Sequence, residues 1–169
     1  QHGDDIILKR MKRRHLYRDV INFVKEAKRR RSDIVFGGDF IAGFPTEDEK
    51  AHQNSMQLIK EANITYIHVF PYSNRKNTPA SNMPQVSKNL IQKRGKELRD
   101  LAKKQHNKFL VSLIGTTQNV LIENNSVGHA ANFSKIKLKE NVEASTIVFT
   151  KILEIDPDGL LGTIQNRNR

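Results

Sequence analysis

Residues 39–50, DFIAGFPTEDEK, are the stretch whose residue types best suit a chemical site. An apolar run breaks there at Gly43-Phe44-Pro45, and a cluster of acids follows at once. A second apolar run, ITYIHVF, ends at Pro71. In parallel α/β folds, ligands bind beyond the carboxyl ends of the strands. We therefore expect Gln1, Asp39–Phe44 and Phe70–Ser73 to lie at strand ends, where one pocket could gather them.

The composition excludes several kinds of site. The 169 residues contain no cysteine, which rules out disulfides, thiolate zinc sites and cysteine-held iron–sulfur clusters within this chain. The six histidines are scattered, and none stands with carboxylates at metal-ligand spacing. The sequence has no Gly-x-Gly-x-x-Gly, P-loop or nucleophile-elbow motif. No apolar run approaches the roughly 20 residues of a membrane span and no signal peptide is visible, so we expect a cytoplasmic protein.

The net charge of +11 is concentrated in the first two-thirds of the chain. Residues 1–110 hold 23 Lys and Arg against 12 Asp and Glu, whereas residues 111–169 hold 6 of each sign. A strong positive field favours a polyanionic partner, nucleic acid first. The alternative, a solvated basic face kept for solubility, is equally compatible with composition alone.

Hydrophobic periodicity predicts a helix–strand–helix–strand order over residues 16–70. Residues 16–31 carry apolar side chains spaced three and four apart, which is typical of one face of an amphipathic helix. The run IVFGGDFIAGF indicates a buried strand, and Thr46 with the acids after it predicts the N-cap of a second helix that continues to about Ala62. With ITYIHVF as the next strand, this order indicates a parallel sheet.

The rest of the chain predicts a loop, a long helix and a β domain. Residues 71–86 contain three prolines and should form an ordered, irregular loop, and residues 88–111 should form a strongly basic helix. After Gly115, four or five segments alternate apolar and polar residues, which indicates a small closed β-barrel. We place the domain boundary near residues 112–116 and expect the last four residues, NRNR, to fray.

Four motifs, in order, resemble the radical S-adenosylmethionine (SAM) methylthiotransferases that modify tRNA. They are QHGDDIILKRMKRRH (1–15), DFIAGFPTEDE (39–49), VFPYSNRKNTPASNMPQV (69–86), and IGTTQNVLIE with the later GHAANF (128–133), which is similar to the family's C-terminal TRAM domain. The resemblance covers essentially the whole chain. The second and third motifs are most similar to the branch that acts on threonylcarbamoyladenosine, and the isopentenyladenosine branch is the nearest rival.

The resemblance implies a fold and a place in a larger enzyme. Residues 1–112 would be the second half of a partial (β/α) radical SAM barrel that ends in the basic helix, and residues 113–169 would be a TRAM-like, OB-like β-barrel. The family's cluster-binding Cys-x-x-x-Cys-x-x-Cys would lie in a missing N-terminal part, so we expect this fragment to be inactive alone. The complete enzyme would use SAM and [4Fe–4S] clusters to insert a methylthio group at C2 of the modified adenosine 3′ to the anticodon.

The resemblance also implies a set of SAM-binding residues. They are Gln1, Arg13, Asp39, Ile41, Gly43, Phe44 and Phe70. Ile41, Gly43 and Phe44 would pack against the adenine, Gln1 would bond the ribose, and Arg13 would pair with the methionyl carboxylate. On residue statistics alone, Ile41 and Phe44 are ordinary core and Arg13 is a solvated charge or a phosphate contact. No residue of this chain is expected to be catalytic or to bind a metal, and His2 stands where the family has a small polar residue.

Three further groups of residues would contact RNA. They are Tyr72, Ser73 and Arg75 in the proline-stiffened loop; Arg29, Arg30 and Arg31; and Asn132 and Phe133 of the TRAM-like part. An aromatic ring beside an arginine suits a flipped-out adenosine or a phosphate, although a structural loop with a surface arginine is an equal alternative. Neutralising the 28–31 cluster should reduce the salt dependence of tRNA binding.

The leading hypothesis is the C-terminal portion of a radical SAM tRNA methylthiotransferase. Its partners would be tRNA, SAM and the N-terminal part of the same enzyme, with neither a membrane nor DNA involved. The alternative from another class is a non-catalytic, basic RNA-binding protein with a split barrel. The coding sequence upstream of Gln1 separates the two, because only an enzyme would carry the cysteine trio there.

Overall fold

The computed structural model describes residues 1–165, and within them it contains four α-helices, a short 3-10 helix and seven strands. The helices are α1 (Asp5–Arg10), α2 (Tyr17–Arg30), α3 (Glu49–Glu61) and α4 (Lys88–Leu113), with the 3-10 turn at Pro79–Asn82. The strands are β1 (Gly37–Ala42), β2 (Tyr66–Pro71), β3 (Thr117–Asn124), β4 (Val127–Ala130), β5 (Lys135–Leu138), β6 (Ile147–Asp156) and β7 (Gly159–Ile164). The chain divides into two compact units, residues 1–106 and residue 107 onward. The expected fraying of the last four residues falls outside the described part of the chain.

The first unit contains the predicted parallel strand pair. Strands β1 and β2 run parallel, with Gly37 opposite Tyr66 at one end and Ala42 opposite Pro71 at the other. On the other side of β1, the Gln1 nitrogen donates to the carbonyl of Asp39, and the Gln1 carbonyl accepts from the nitrogen of Ile41 at 3.1 Å. That pattern of two bonds is the one made by parallel neighbours. Gln1 therefore lies beside β1 as the end of a strand would, opposite Phe40.

The core of the first unit lies between the two strands and three helices. Phe40 and Ala42 of β1 are completely buried against α3, where Leu58 and Ile59 are also inaccessible. Helices α2 and α4 add one buried face each, through Ile21 and Val24 and through Leu98 and Leu101. Burying a large apolar side chain contributes about 1.5–3 kcal/mol. This core holds the ends of β1 and β2 in place.

The predicted N-cap of α3 is wrong by two residues. Asp48, not Thr46, caps the helix, and its Oδ1 accepts from the Ala51 nitrogen at 2.8 Å. Thr46 instead takes a left-handed conformation, with φ of +69°, and its nitrogen donates to the carbonyl of Pro84 at 2.9 Å. The reason lies in Glu47, because its side chain is buried beneath the turn and cannot serve as an exposed first-turn acid.

The second unit is a closed five-stranded barrel in the order β3-β4-β5-β7-β6. Only β5 and β7 pair in parallel, and the other four pairs are antiparallel. Inward side chains fill the barrel, and Leu110 and Leu113 at the end of α4 pack against them. Gly128 is required because a Cβ there would lie 1.9 Å from the Leu121 carbonyl oxygen. The predicted fold class, α/β followed by a small OB-like barrel, is confirmed. Among the described residues, no helix is both long and apolar enough to cross a membrane.

We predict that Phe40→Ala lowers the free energy of unfolding of the first unit by about 3–5 kcal/mol, because it empties the centre of the core. Phe23→Ala is the matched control, since its ring is 66% exposed while that of Phe40 is inaccessible. Denaturant titration followed by circular dichroism measures both. An equal loss of stability in the two variants would show that the core is not arranged as described.

Candidate functional site

The carboxyl ends of β1 and β2 lie side by side, as predicted. Gly43 and Phe44 follow β1, and Tyr72 and Ser73 follow β2. The Tyr72 nitrogen donates to the carbonyl of Ala42 at 2.8 Å, which extends the strand pairing one step beyond β2. The two segments therefore leave the sheet together. We call this region the strand-end site.

Two of the predicted ligand-contacting rings are packed into the protein at this site. Phe44 is buried with Ile7 and Ala51, and its ring meets the edge of the Tyr72 ring at a centroid distance of 5.5 Å and an angle of 73°. The Tyr72 hydroxyl is buried without a hydrogen-bond partner among the described residues. Phe44 and Tyr72 therefore support the turn that follows β1. Ile41, by contrast, is half-buried and Phe70 is exposed.

The backbone conformation and the packing of position 43 both require a glycine. Its φ of +75° is a backbone conformation that residues with a side chain rarely adopt, and a Cβ there would lie 2.4 Å from Cγ1 of Ile91 on α4. Its N–H is also occupied, because it donates to Oε2 of Glu47 at 2.9 Å. Helix α4 therefore occupies the space beside Gly43 that a ligand was expected to occupy.

The Glu47 carboxylate is the centre of a buried polar network that sequence reasoning missed. Besides Gly43, it accepts from His2 Nε2 at 3.0 Å and from Arg94 Nη1 at 3.1 Å. Arg94 Nη1 also donates to the Glu47 carbonyl at 2.8 Å. His52 Nδ1 lies 3.9 Å from Glu47 Oε1. One carboxylate therefore joins the segment after Gln1, the turn after β1, helix α3 and helix α4.

The hydrogen bonds of His2 show which of its two ring nitrogens carries the proton. Its Nδ1 accepts from the backbone nitrogen of Asp4 at 3.0 Å, so it cannot carry a proton there. The proton is on Nε2, which donates to Glu47. His2, which stands where the family has a small polar residue, is thus a neutral, fully buried donor to the Glu47 carboxylate. The second buried histidine, His52, bonds Glu97 of α4 through Nε2 at 2.7 Å.

Thr46 stores backbone strain at the rim of the site. Positive φ is uncommon for a β-branched residue and costs about 1–3 kcal/mol of conformational free energy. Such a conformation persists only where the surrounding contacts hold it. Here the bond from its nitrogen to Pro84 and the bond that its hydroxyl accepts from Arg10 hold it. The same bond connects Arg10, at the end of α1, to the turn after β1.

Three of the predicted SAM-binding residues lie near one another beside β1. Gln1 bonds the carbonyl of Asp39 and lies within electrostatic reach of Arg13. Arg13 and Asp39 are both exposed and both act electrostatically on Gln1. Gln1, Arg13 and Asp39 are thus accessible to a polar ligand, whereas Gly43 and Phe44 are enclosed.

A groove of about 350 Å³ also includes Gln1, but it lies toward the amino end of β1. Phe23 and Phe36 supply much of its apolar wall, and His15 lies at its edge with Nε2 buried and unpartnered among the described residues. The groove contains none of the residues that follow β1 and β2. It is therefore separate from the strand-end site.

The residues predicted to contact RNA differ in their surroundings. Ser73 and Arg75 are exposed beyond β2. Arg29 and Arg30 both bond the carboxylate of Glu26, at 2.8 and 2.7 Å. Arg31 pairs with Asp33 at 2.9 Å. The two guanidinium groups beside Glu26 hold the pKa of its carboxyl below its usual value, so each arginine of this cluster already has an anionic partner.

In the barrel unit, Asn132 and Phe133 have different structural roles. Oδ1 of Asn132 accepts from the nitrogen and the hydroxyl of Ser134, at 3.1 and 2.6 Å, which fixes the turn after β4. Phe133 takes a left-handed conformation in that turn, with φ of +63°, and its side chain is 74% exposed. Asn132 thus holds a turn that presents an aromatic ring to solvent.

Among residues 1–165, no group of three or more His, Asp or Glu side chains could hold a metal ion. The chain has no cysteine, so its residues do not fit an iron–sulfur cluster. They fit part of a SAM site better, because Arg13, Asp39 and Phe70 are exposed and offer a cation, a carboxylate and an aromatic ring.

Comparison with known proteins gives the family. No protein-family model matches the chain. A threonylcarbamoyladenosine tRNA methylthiotransferase, MtaB, from Rickettsia prowazekii is 44% identical over 156 residues, which are 92% of this chain and 37% of the relative. The chain is a homologue of the tRNA methylthiotransferases. A probable threonylcarbamoyladenosine tRNA methylthiotransferase from Methanocaldococcus jannaschii is 34% identical over 97% of this chain and 38% of its own length.

A second branch of the family is also similar. A tRNA-2-methylthio-N(6)-dimethylallyladenosine synthase from Ehrlichia chaffeensis is 36% identical over 73% of this chain and 28% of its own length. The chain spans between about a quarter and two-fifths of the length of these curated relatives. The resemblance that the four motifs indicated is confirmed, with the highest of these identities in the threonylcarbamoyladenosine branch.

We predict that Glu47→Gln lowers the free energy of unfolding of the first unit by about 3 kcal/mol, because it leaves the buried Arg94 without its carboxylate. Glu26→Gln is the control, since Glu26 pairs with exposed arginines and such pairs contribute little. Chemical denaturation of the two variants gives the comparison. If Glu47→Gln were as stable as Glu26→Gln, the carboxylate would not be the centre of the network.

Proposed function

We propose that this chain is the C-terminal portion of a radical SAM tRNA methylthiotransferase. The enzyme would add a methylthio group to C2 of a modified adenosine 3′ to the anticodon. The observation that carries the proposal is the 44% identity to a tRNA methylthiotransferase over 92% of the chain. The parallel strand ends and the closed barrel support it, since they are the two parts that the motif order implies.

The proposed substrate is threonylcarbamoyladenosine in tRNA. Two relatives named for that nucleoside match 92% and 97% of the chain. Identity favours this branch, because the Rickettsia prowazekii relative is 44% identical and the Ehrlichia chaffeensis relative, named for dimethylallyladenosine, is 36% identical. An isopentenyladenosine-type enzyme is the second candidate, because its identity of 36% is close to that of the second threonylcarbamoyladenosine relative.

The residues of the first unit would supply part of a SAM pocket. Arg13 is exposed and can pair with a carboxylate, as a planar guanidinium does well. Gln1 and Asp39 can bond the polar part of the ligand, while the half-buried Ile41 and the exposed Phe70 offer apolar contact. Gly43 and Phe44 would act by holding the turn after β1. Their backbone and ring contacts are already made within the protein.

The radical chemistry would come from SAM and from clusters bound by cysteines outside this chain. Because none of the 169 residues is cysteine, we propose that this chain alone does not modify tRNA. Residues 1–112 would be the barrel portion and residues 113–169 the TRAM-like domain. Ser73 and Arg75 would face the RNA, Tyr72 would support the turn behind them, and Phe133 would offer a ring for stacking on a base. A tRNA substrate agrees with a cytoplasmic location.

We predict that tRNA from cells lacking the full-length gene loses 2-methylthio-N6-threonylcarbamoyladenosine, as measured by mass spectrometry of digested nucleosides. The full-length gene should restore it, and a gene encoding only these 169 residues should not. Loss of 2-methylthio-isopentenyladenosine instead would assign the enzyme to the second branch. No change in either nucleoside would contradict the proposal and favour a non-catalytic RNA-binding protein.

A further inference from the structure

Six basic side chains follow one another closely between α1 and the first turn of α2, and all six are exposed. We call them the 9–18 segment: Lys9, Arg10, Lys12, Arg13, Arg14 and Arg18. Four of the six are arginines. The guanidinium group is planar and donates in pairs, which suits phosphate oxygens.

The acids nearest in sequence do not neutralise this segment. Asp5 Oδ1 accepts from the backbone nitrogen of Tyr17 at 2.7 Å, and Asp19 Oδ2 accepts from that of Leu16 at 2.8 Å. Asp4 caps α1 and accepts from Asn54 at 2.8 Å. Within residues 1–165, no ion pair includes a side chain of the 9–18 segment. Its positive charge is therefore available to an external anion.

The other basic regions of the first unit are partly neutralised. Arg29, Arg30 and Arg31 pair with Glu26 and Asp33, so a phosphate approaching them would meet two carboxylates. On α4, Lys93 lies 3.9 Å from Glu97 and Arg94 is buried with Glu47, whereas Lys96, Arg99, Lys103 and Lys104 are exposed and form no ion pair within residues 1–165. These four differ from the 9–18 segment in having no bond to the turn after β1. Basic clusters in the sequence thus differ in how much of their charge is paired with a carboxylate.

The 9–18 segment also has a defined position. Ile7 and Leu8 of α1 are buried, and backbone bonds from Lys12 to Lys9 and from Arg13 to Leu8 hold the turn that follows. Arg10 donates to the Thr46 hydroxyl at the strand-end site. The charge of Arg13 acts on Gln1, which bonds β1. The segment therefore borders the site where the target nucleotide would react.

We propose that the 9–18 segment, apart from Arg13, which is assigned to the SAM carboxylate, is the surface that binds the phosphates of the RNA substrate next to the strand-end site, and that the 29–31 cluster is not. The identity of the polyanion as RNA rests on the proposed function. The selection of the 9–18 segment rests on its unpaired charge and on its contact with Thr46. A strand bound there would present the adjoining nucleotide to the ends of β1 and β2.

The test compares two triple variants of the chain that each remove three positive charges. Lys12→Gln/Arg14→Gln/Arg18→Gln changes the 9–18 segment without touching Arg10 or Arg13, and Arg29→Gln/Arg30→Gln/Arg31→Gln is the matched control. Binding of an anticodon stem-loop RNA is measured over a range of salt concentrations. The first variant should reduce the slope of log affinity against log salt by about 2–3, because each phosphate contact contributes roughly 0.7–0.9. The control should change it by less than about 1.

Several outcomes would overturn the proposal. They are an equal loss from both triple variants, a larger loss from the control, and no RNA binding by the unchanged chain. Equal binding of RNA and of anionic phospholipid vesicles would also overturn it, since the surface would then not be specific to RNA. Circular dichroism of the variants checks that both remain folded. The nucleoside measurement on cellular tRNA is independent of this assay, so failure of the binding surface and failure of the proposed function can be told apart.

Discussion

The arrangement of the first unit depends on one buried carboxylate. Glu47 accepts from the N–H of Gly43, from the ring of His2 and from the guanidinium of Arg94, and these partners come from three separate segments of the chain. A buried charge is unfavourable unless its hydrogen bonds are all made, and here they are made by groups that are distant from one another in the sequence. The network thereby fixes the turn after β1, the entry into α3 and the approach of α4.

The same network explains several local features of the strand-end site. Because Glu47 turns inward, the helix that follows begins one residue after Asp48, and Thr46 adopts a conformation that its side chain disfavours. Because Arg94 reaches Glu47, α4 lies close enough for Ile91 to touch Gly43. The enclosed residues, Gly43 and Phe44, therefore act as supports. Contact with a ligand is left to the accessible residues at the rim.

The distribution of charge has a similar explanation. Basic residues are abundant throughout residues 9–31, yet their availability depends on whether a carboxylate lies within reach. Near α1, the acids accept hydrogen bonds from backbone donors, and within residues 1–165 the arginines there form no ion pair. At the end of α2, acids three and two residues away along the chain pair with the arginines. Whether a basic surface can bind phosphates thus depends on whether nearby carboxylates form ion pairs with its cations, as well as on the number of cations.

The sequence by itself determined the order of the elements, the parallel pairing of β1 and β2, the closed barrel and the family. These features follow from hydrophobic periodicity, turn residues and motifs, which are local along the chain. It could not show that Glu47 is buried, because an acid next to Asp48 and Glu49 has the pattern of an exposed first helical turn. Nor could it separate the free arginines near Arg14 from the paired ones near Arg30. Both distinctions depend on partners distant in sequence or on the use of nearby acids, and only the tertiary structure decides those.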